Sequence, residues 1–437
     1  MVKVIVADFK HDAQHRLGQF LDESDYDVLI EEDTDAYMPA LGNNELDETR
    51  IAFKFRKNYF SKEEQDAAYI GLREAAIESQ NRGLAAGPRE GMLGNRAWVT
   101  EYQYDIVDYF LNPKPNLLGD DPIDEIKARH ANKKAEISNR ANVWSILKVD
   151  KAKFEFEDWI EETRRLSPDD QKKSAKWVAE DLICATTYAN SVNSGIAGWF
   201  DRYPRIPFGR ATSYTENSFD KFKMSFPFLQ SLAKGFKDLL PWRYGNQMAA
   251  AAKIDPEFLV PGTPFTTVTV NKTFRTAAHY DAGDLDSGLS NLLVLSNNGN
   301  FTGGYLVFPE DRMAVNVRPG DLLLVNNHEV MHGNTPIVLD DAESERVSLV
   351  VYFREKMLEL GTKVYEDTRK QFVEDRRRNK EHPEQRPLWN GISPGQWDTK
   401  EWYDYLKSKP NGDAWLEQYH KDLKERIEST GLEEFFA

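Results

Sequence analysis

Cysteine is almost absent from this chain: Cys184 is the only one in 437 residues. One thiol cannot form an internal disulfide, so the fold has to rest on packing, and a reducing cytoplasmic setting is the expectation. Long hydrophobic runs are missing too. The apolar start Met1 to Ala7 contains Lys3 and runs into charged sequence, too short for a membrane span or a signal core, so a soluble intracellular chain with no membrane partner is expected. Basic residues are the minority, 56 Lys and Arg against 72 Asp and Glu, a net charge of −16. That balance excludes a globally basic nucleic-acid binder, although the excess is concentrated: the first fifty residues hold 13 acids and 4 bases. The glycine-rich stretch Gly83 to Gly94 lacks a G-K-[ST] ending and a G-x-G-x-x-G, so it is no phosphate loop. No internal repeat is visible.

The apolar and charged fractions, 40% and 29%, are ordinary for a globular protein. Residues 1–120 read as mixed α/β, with a strand Val2 to Phe9 and a helix Ser61 to Gln80 opened by the capping pattern Ser61-Lys-Glu-Glu64. Residues 121–204 carry helix signals over Ile123 to Leu147, Lys153 to Arg165 and from Ser167 to about Ser191. From 205 the pattern changes to short strands broken by Asn, Gly and Pro: Thr266 to Val270, Asn291 to Ser296, Gly303 to Phe308, Ala314 to Val317, Asp321 to Asn326 and Arg346 to Arg354. That spacing predicts an α+β protein whose core, 205–356, is a double-stranded β-helix or jelly roll, with a charged, aromatic, helical tail over 357–437.

Chemistry concentrates in that core. His279-Tyr280-Asp281 has the spacing that lets residues i and i+2 of an extended strand reach one ion while Tyr280 turns to the other face. With His332 it forms a two-histidine, one-carboxylate set, whose three ligands leave one side of a metal open and suit non-haem Fe(II). His328-Glu329-Val330-Met331-His332 also satisfies H-E-x-x-H, the zinc-protease pattern. That motif needs a helix, and here a turn and an apolar strand precede it while Gly333-Asn334-Thr335-Pro336 follows, so His328 is read as a pocket residue. Arg346 and Ser348 lie two apart in the apolar run that continues to Phe353. A buried guanidinium needs an anion, and a bidentate grip on a dicarboxylate such as 2-oxoglutarate fits. The alternative is a structural arginine paired with a surface acid such as Glu345.

These residues resemble the TET/JBP family of Fe(II)- and 2-oxoglutarate-dependent DNA-base dioxygenases, bacteriophage members included. The resemblance runs over about 205–355 and rests on Gly209-Arg210-Ala-Thr212, Gly262 to Asn271, Phe274 to Asp284, Gly303-Gly304-Tyr-Leu306, Val315 to Asp321 and His332 to Pro336. It implies Fe(II) held by His279, Asp281 and His332, 2-oxoglutarate bound by Arg346, Ser348 and Asn271, and O₂ as co-oxidant. It also implies hydroxylation of the C5-methyl of a pyrimidine in DNA, 5-methylcytosine ahead of thymine, with succinate and CO₂ released.

Such chemistry needs the base flipped out of the duplex. Tyr280, Tyr305 and Phe301 are candidates to stack on it, each equally readable as a packing aromatic. Two basic groups could meet phosphates: Arg202, Arg205, Arg210, Lys221 and Lys223, and in the tail Arg369, Lys370, Arg376, Arg377, Arg378 and Lys380. A solvated helix face explains either group as well. Trp389, Trp397 and Trp402 could stack on bases or dock the tail. Two other functions keep the same core: a 2-oxoglutarate oxygenase acting on a protein side chain or small molecule, and a non-catalytic cupin-like binding protein.

Overall fold

The computed structural model describes residues 2–7, 9–39, 46–79, 82–87, 97–98, 101–113, 122–131, 145–147, 156–177, 183–185, 191–202, 206–378 and 400–430. Strand formation follows the β-branched and aliphatic stretches. β1 (Lys3–Val6), β3 (Thr34–Tyr37), β4 (Ile51–Arg56), β5 (Ile77–Ser79), β9 (Val192–Phe200) and β10 (Arg210–Ala211) join β11 (Thr267–Lys272), β12 (Ser290–Ser296), β16 (Leu322–Val325) and β19 (Arg346–Tyr352) in one mixed, ten-stranded sheet. Its order is β1-β3-β4-β16-β12-β19-β11-β9-β10, with β5 against β9. A second sheet has the order β17 (Gly333–Asn334), β14 (Leu306–Phe308), β15 (Met313–Val315) and β2 (Val28–Ile30), and β13 (Phe301–Gly303) pairs with β18 (Ile337–Leu339). A separate three-stranded sheet holds β6 (Ala97–Trp98), β7 (Ser145–Leu147) and β8 (Ile183–Ala185).

Period-two alternation sends the large sheet's side chains to two different cores. Leu292 and Val294 of β12 and Leu323 and Val325 of β16 pack with Phe53 and Phe55 of β4 against Leu306, Phe308, Met313 and Val315 of the second sheet. The rings of Phe53 and Phe308 stack at 5.1 Å across that interface. The intervening Leu293, Leu295, Leu322 and Leu324 face helices instead. These are α1 (Lys62–Leu72), α7 (Phe219–Met224), α8 (Phe226–Leu239) and α9 (Pro241–Ala251), reached after the short α6 (Ser213–Asn217). On α8, Phe228, Leu229, Leu232 and Phe236 form one helical face, each fully buried side chain contributing roughly 1.5–3 kcal/mol. A Cβ on Gly235 would stand 2.8 Å from the Leu322 side chain, so a larger residue there requires Leu322 and Tyr59 to shift.

Elsewhere α2 (Glu101–Leu111), α3 (Pro122–His130), α4 (Phe156–Arg164) and α5 (Pro168–Trp177) enclose their own small core around Phe110, Phe156, Trp159 and Ile160. The described part of the tail holds α10 (Lys363–Arg378), α11 (Lys400–Lys407) and α12 (Gly412–Thr430). Trp402, Tyr365, Phe372 and Tyr419 pack there with Phe208. Among the described residues no helix is long and apolar enough to cross a membrane.

Several sequence expectations need correction. The Ser61 helix has its capping box, Ser61 Oγ accepting from Glu64 N and Glu64 from Ser61 N, but it ends at Leu72. Ile77–Ser79 is strand because β9 offers an open edge and takes it into register, Ile77 opposite Ser194. Residues 145–147 and 183–185, expected within helices, are strands paired through β7. Gly303 to Phe308 is two strands in two sheets, because Gly303 and Gly304 both adopt positive φ, 68° and 67°, and turn the chain between them. β9 went unrecognised altogether. Its glycines disguise a central strand: a Cβ on Gly195 would lie 1.7 Å from the Ala75 carbonyl oxygen. The large sheet therefore runs continuously across the boundaries expected near 120 and 205.

Candidate metal and cosubstrate centre

Neither His279 nor His332 belongs to a long strand, yet their main chains pair as an antiparallel bridge, with N–H···O distances of 2.9 and 3.0 Å in the two directions. Residues exchanging both bonds present their side chains on the same face. The two imidazoles stand 4.4 Å apart, and His279 Nε2 lies 3.2 Å and His332 Nε2 3.9 Å from the carboxylate of Asp281. All three ligand atoms fall within 4.8 Å of one another. Each Nδ1 is 2.8–3.0 Å from the carbonyl two residues earlier, Ala277 for His279 and Val330 for His332. A carbonyl accepts only, so each Nδ1 carries the proton and each Nε2 presents its lone pair to the shared space. Asp281 is fixed in turn: Asn327 donates to it from Nδ2 at 2.9 Å and accepts its backbone N–H at 3.1 Å.

The electrostatics keep two of these three donors in ligating form. Burial and the neighbouring His279 hold His332 down at about 4, so it is neutral at physiological pH. Burial alone would raise Asp281; its bond to His279 and the charge of His332 outweigh this and hold it well below the usual carboxylate range. His279 moves the other way. Burial opposes its protonation, but Asp281 lifts it above the ordinary histidine value.

The triad opens into a cavity of about 1450 Å³. The same alternation that packs Val347, Leu349 and Val351 against the helices points Arg346, Ser348, Val350 and Tyr352 of β19 into this cavity. Asn271 of β11 is opposite Ser348 in register, lines the cavity too, and accepts a hydrogen bond from Ser194. Arg346 is 1% exposed, and its only side-chain hydrogen bond among the described residues is Nη2 to the Gly304 carbonyl at 3.2 Å. Its Nε and Nη1 have no partner, and among the described residues no carboxylate pairs with it. Burial and the charge of Arg318 push it down to about 10, the signature of a guanidinium in want of an anion. Glu345, its adjacent acid, is taken by Arg73 and Tyr69.

The remaining candidates sort clearly. His328 turns to Glu329 at 3.4 Å in a stretch of turn between β16 and β17, so H-E-x-x-H lacks the helix that a zinc site of that type needs. Phe301 is core under the guanidinium of Arg346, and Tyr305 packs beside Arg318; neither lines the cavity. Tyr280 does, but its hydroxyl is engaged by Glu310 at 2.9 Å. Arg202 and Arg369 are buried, Arg202 on Glu366 and both against Asp422, and Trp402 is tail core. Lys221, Lys223 and Lys370 pair with Glu74, Asp220 and Glu216. Arg205, Lys380, Trp389 and Trp397, and the side chains of Arg376, Arg377 and Arg378, lie outside the described residues. Sequence reasoning missed Asn327 and Tyr352. Counting in twos from Arg346 would have found the second.

Two imidazoles, one carboxylate and a buried unpaired arginine on one cavity wall define a centre of the Fe(II)/2-oxoglutarate oxygenase class. Residues 202–355 match the family model described as the oxygenase domain of the 2OGFeDO superfamily, Tet_JBP, and this domain is TET/JBP-like. That superfamily uses Fe(II), 2-oxoglutarate and O₂. Among curated proteins, the chain is 33% identical over 195 residues to the bifunctional helicase and thymine dioxygenase JBP2 of Leishmania infantum, covering 43% of this chain and 17% of that protein. It is 36% identical over 169 residues to the thymine dioxygenase JBP1 of Trypanosoma brucei brucei, covering 38% and 19%. The matched stretch is thus under a fifth of those relatives' length. A solved structure described as NgTET1 in complex with 5mC DNA aligns with a TM-score of 0.35 and 17% identity over 54% of this chain and 80% of that one, a likeness too low to carry substrate or mechanism.

Proposed function

We propose that the chain is an Fe(II)- and 2-oxoglutarate-dependent dioxygenase that hydroxylates the 5-methyl group of a pyrimidine in DNA, built on a double-stranded β-helix formed by the two facing sheets. The observation that carries the cofactor half of this reading is Arg346: a buried guanidinium with unpartnered Nε and Nη1 on the wall of the cavity that holds the triad. A dicarboxylate cosubstrate supplies the missing anion, its far carboxylate on Arg346 and Ser348, with Asn271 beside them. His279, Asp281 and His332 hold the metal through Nε2, carboxylate oxygen and Nε2. When bound, iron with 2-oxoglutarate and O₂ supplies oxidative decarboxylation to succinate and CO₂ and the hydroxylation of a methyl C–H bond.

The protein's own residues position and exclude. Asn327 keeps Asp281 turned to the histidines, and the two Nδ1–H bonds keep the rings from rotating. The cavity has room for a base beside the cosubstrate, and Tyr352, on the same strand face as Arg346 and Ser348, offers it an aromatic wall. A base stacked in a duplex cannot bring its methyl group to the triad on the cavity wall, so the target is flipped out. The curated relatives named as thymine dioxygenases support thymine as the substrate to test first, ahead of the 5-methylcytosine that the family resemblance favoured. The neutralised state of most nearby basic side chains favours one second reading, an oxygenase of the same type acting on a protein or small molecule.

The test is to incubate the protein with Fe(II), 2-oxoglutarate and DNA containing thymine or 5-methylcytosine and to analyse nucleosides by mass spectrometry. Hydroxymethyluracil or hydroxymethylcytosine with matching succinate supports the reading. Succinate without any modified nucleoside moves the assignment to the second reading.

A further inference from the structure

A chain of net charge −16 has to hold a polyanion if it acts on DNA, and the cations that could do so are mostly spent on internal carboxylates. Arg210, at the start of β10, differs. It lines the cavity, its one side-chain hydrogen bond runs from Nη1 to the Asp201 carbonyl at 3.0 Å, and among the described residues it forms no ion pair. The Asp201 carboxylate is taken by Arg354 Nε. Both guanidinia rest on one ring of the cavity wall, Arg354 at 3.9 Å and Arg210 at 5.3 Å from the centroid of Phe200. Around Phe200 two guanidinia meet the single carboxylate of Asp201, which among the described residues bonds only Arg354. Partial burial lowers the affinity of Arg210 for its proton, Asp201 offsets part of this and Arg354 adds to it, and an arriving anion removes the remaining cost.

The position is also braced. Glu366 of α10 is fully buried, and its two oxygens accept from Gly209 N at 2.7 Å, Gly361 N at 2.9 Å, Arg202 Nε at 3.2 Å and Arg202 Nη2. One carboxylate therefore grips the residue after Asp201 and the residue before Arg210. A Cβ on Gly209 would lie 2.6 Å from Leu360, so the backbone is packed as well as bonded. The arginine is held in place before any ligand arrives, which spares the entropy of ordering it on binding.

We propose that Arg210, braced through Gly209 by Glu366 and laid on Phe200, binds a phosphodiester oxygen of the DNA strand whose base enters the cavity. This rests on the reading of the chain as a DNA-base oxygenase, and it makes the cavity a nucleotide site: the base goes toward the metal and its phosphate stays at the wall. Neutralising a phosphate releases condensed counterions, so the contact has a measurable salt signature.

The experiment is fluorescence anisotropy of a thymine-containing duplex with the full chain, loaded with Mn(II) and 2-oxoglutarate to prevent turnover, at a series of salt concentrations. For Arg210→Gln the expected result is weaker binding with a slope of log K against log salt shallower by about one, unchanged 2-oxoglutarate affinity, and a slope restored by Arg210→Lys. A wild-type salt slope in Arg210→Gln overturns the inference while leaving the proposed function standing, and so does a loss of 2-oxoglutarate affinity in its place. No binding of any duplex by the unaltered chain removes both.

Discussion

His279 and His332 are joined by two main-chain hydrogen bonds, 2.9 and 3.0 Å, and by nothing else in the regular strand network. The pairing brings to one face an imidazole from the segment between β11 and β12 and another from the segment between β16 and β17, and Asp281 follows two residues after His279. The ligands are held by backbone geometry and each other, not by the cores, so their removal is local.

Asp281→Ala and His332→Ala are each expected to abolish retention of iron and formation of succinate, while the protein keeps a cooperative thermal transition near that of the parent. Metal analysis and calorimetry on the same preparations check this. Full iron occupancy in either variant would refute the ligand assignment.

Arg346→Met separates binding from folding. Removing an uncompensated buried charge in favour of an apolar side chain of similar length is expected to leave the apo melting temperature unchanged or higher. Affinity for 2-oxoglutarate should fall by about 3 kcal/mol, roughly a hundredfold. Added 2-oxoglutarate should raise the melting temperature of the parent and not of the variant.

Metal affinity should depend on pH through His279. Its folded value is raised above the ordinary one, so it must lose a proton to bind metal, and affinity falls as pH drops below that value. His332, held near 4, is already neutral there and adds a second proton only in strong acid. Co(II) titrations at about pH 6 and pH 8 should differ by about one logarithmic unit for each pH unit below the His279 value. Equal affinities would show that His279 does not ligate.

Trp402→Ala tests whether the tail tryptophan stacks on bases or docks the tail. With its ring 5.0 Å from Phe372 and no exposure, the loss should be about 3–5 kcal/mol of stability, read as a lower denaturant midpoint. DNA affinity measured well below the transition should not change; a fall in DNA affinity with stability intact would restore the stacking role.

The triad was legible in the sequence because its signal is local. H-x-D depends only on period-two geometry, and the turn residues on either side of His332 exclude a helix without reference to anything distant. Arg346 and Ser348 were legible for the same reason. The stacking aromatics were not. Tyr305 and Phe301 are close to the motif in sequence, but Gly303 and Gly304 turn the chain between two sheets and leave both rings off the cavity wall.

The basic clusters failed for a related reason. A run of arginines records charge but not partners, and Glu366 and Asp422 meet Arg202 only after the tail has folded back against the end of β9. Residue spacing along the chain thus determined the His279, Asp281 and His332 cluster, the cavity-facing Arg346 and most of the core strands, because each rests on alternation or on a turn a few residues long. Tertiary structure decided which cations are paired, which aromatics line the cavity and which strands complete the large sheet. Those depend on contacts between segments far apart in sequence, β5 with β9 and α10 with Gly209 among them, and no local pattern encodes the partner.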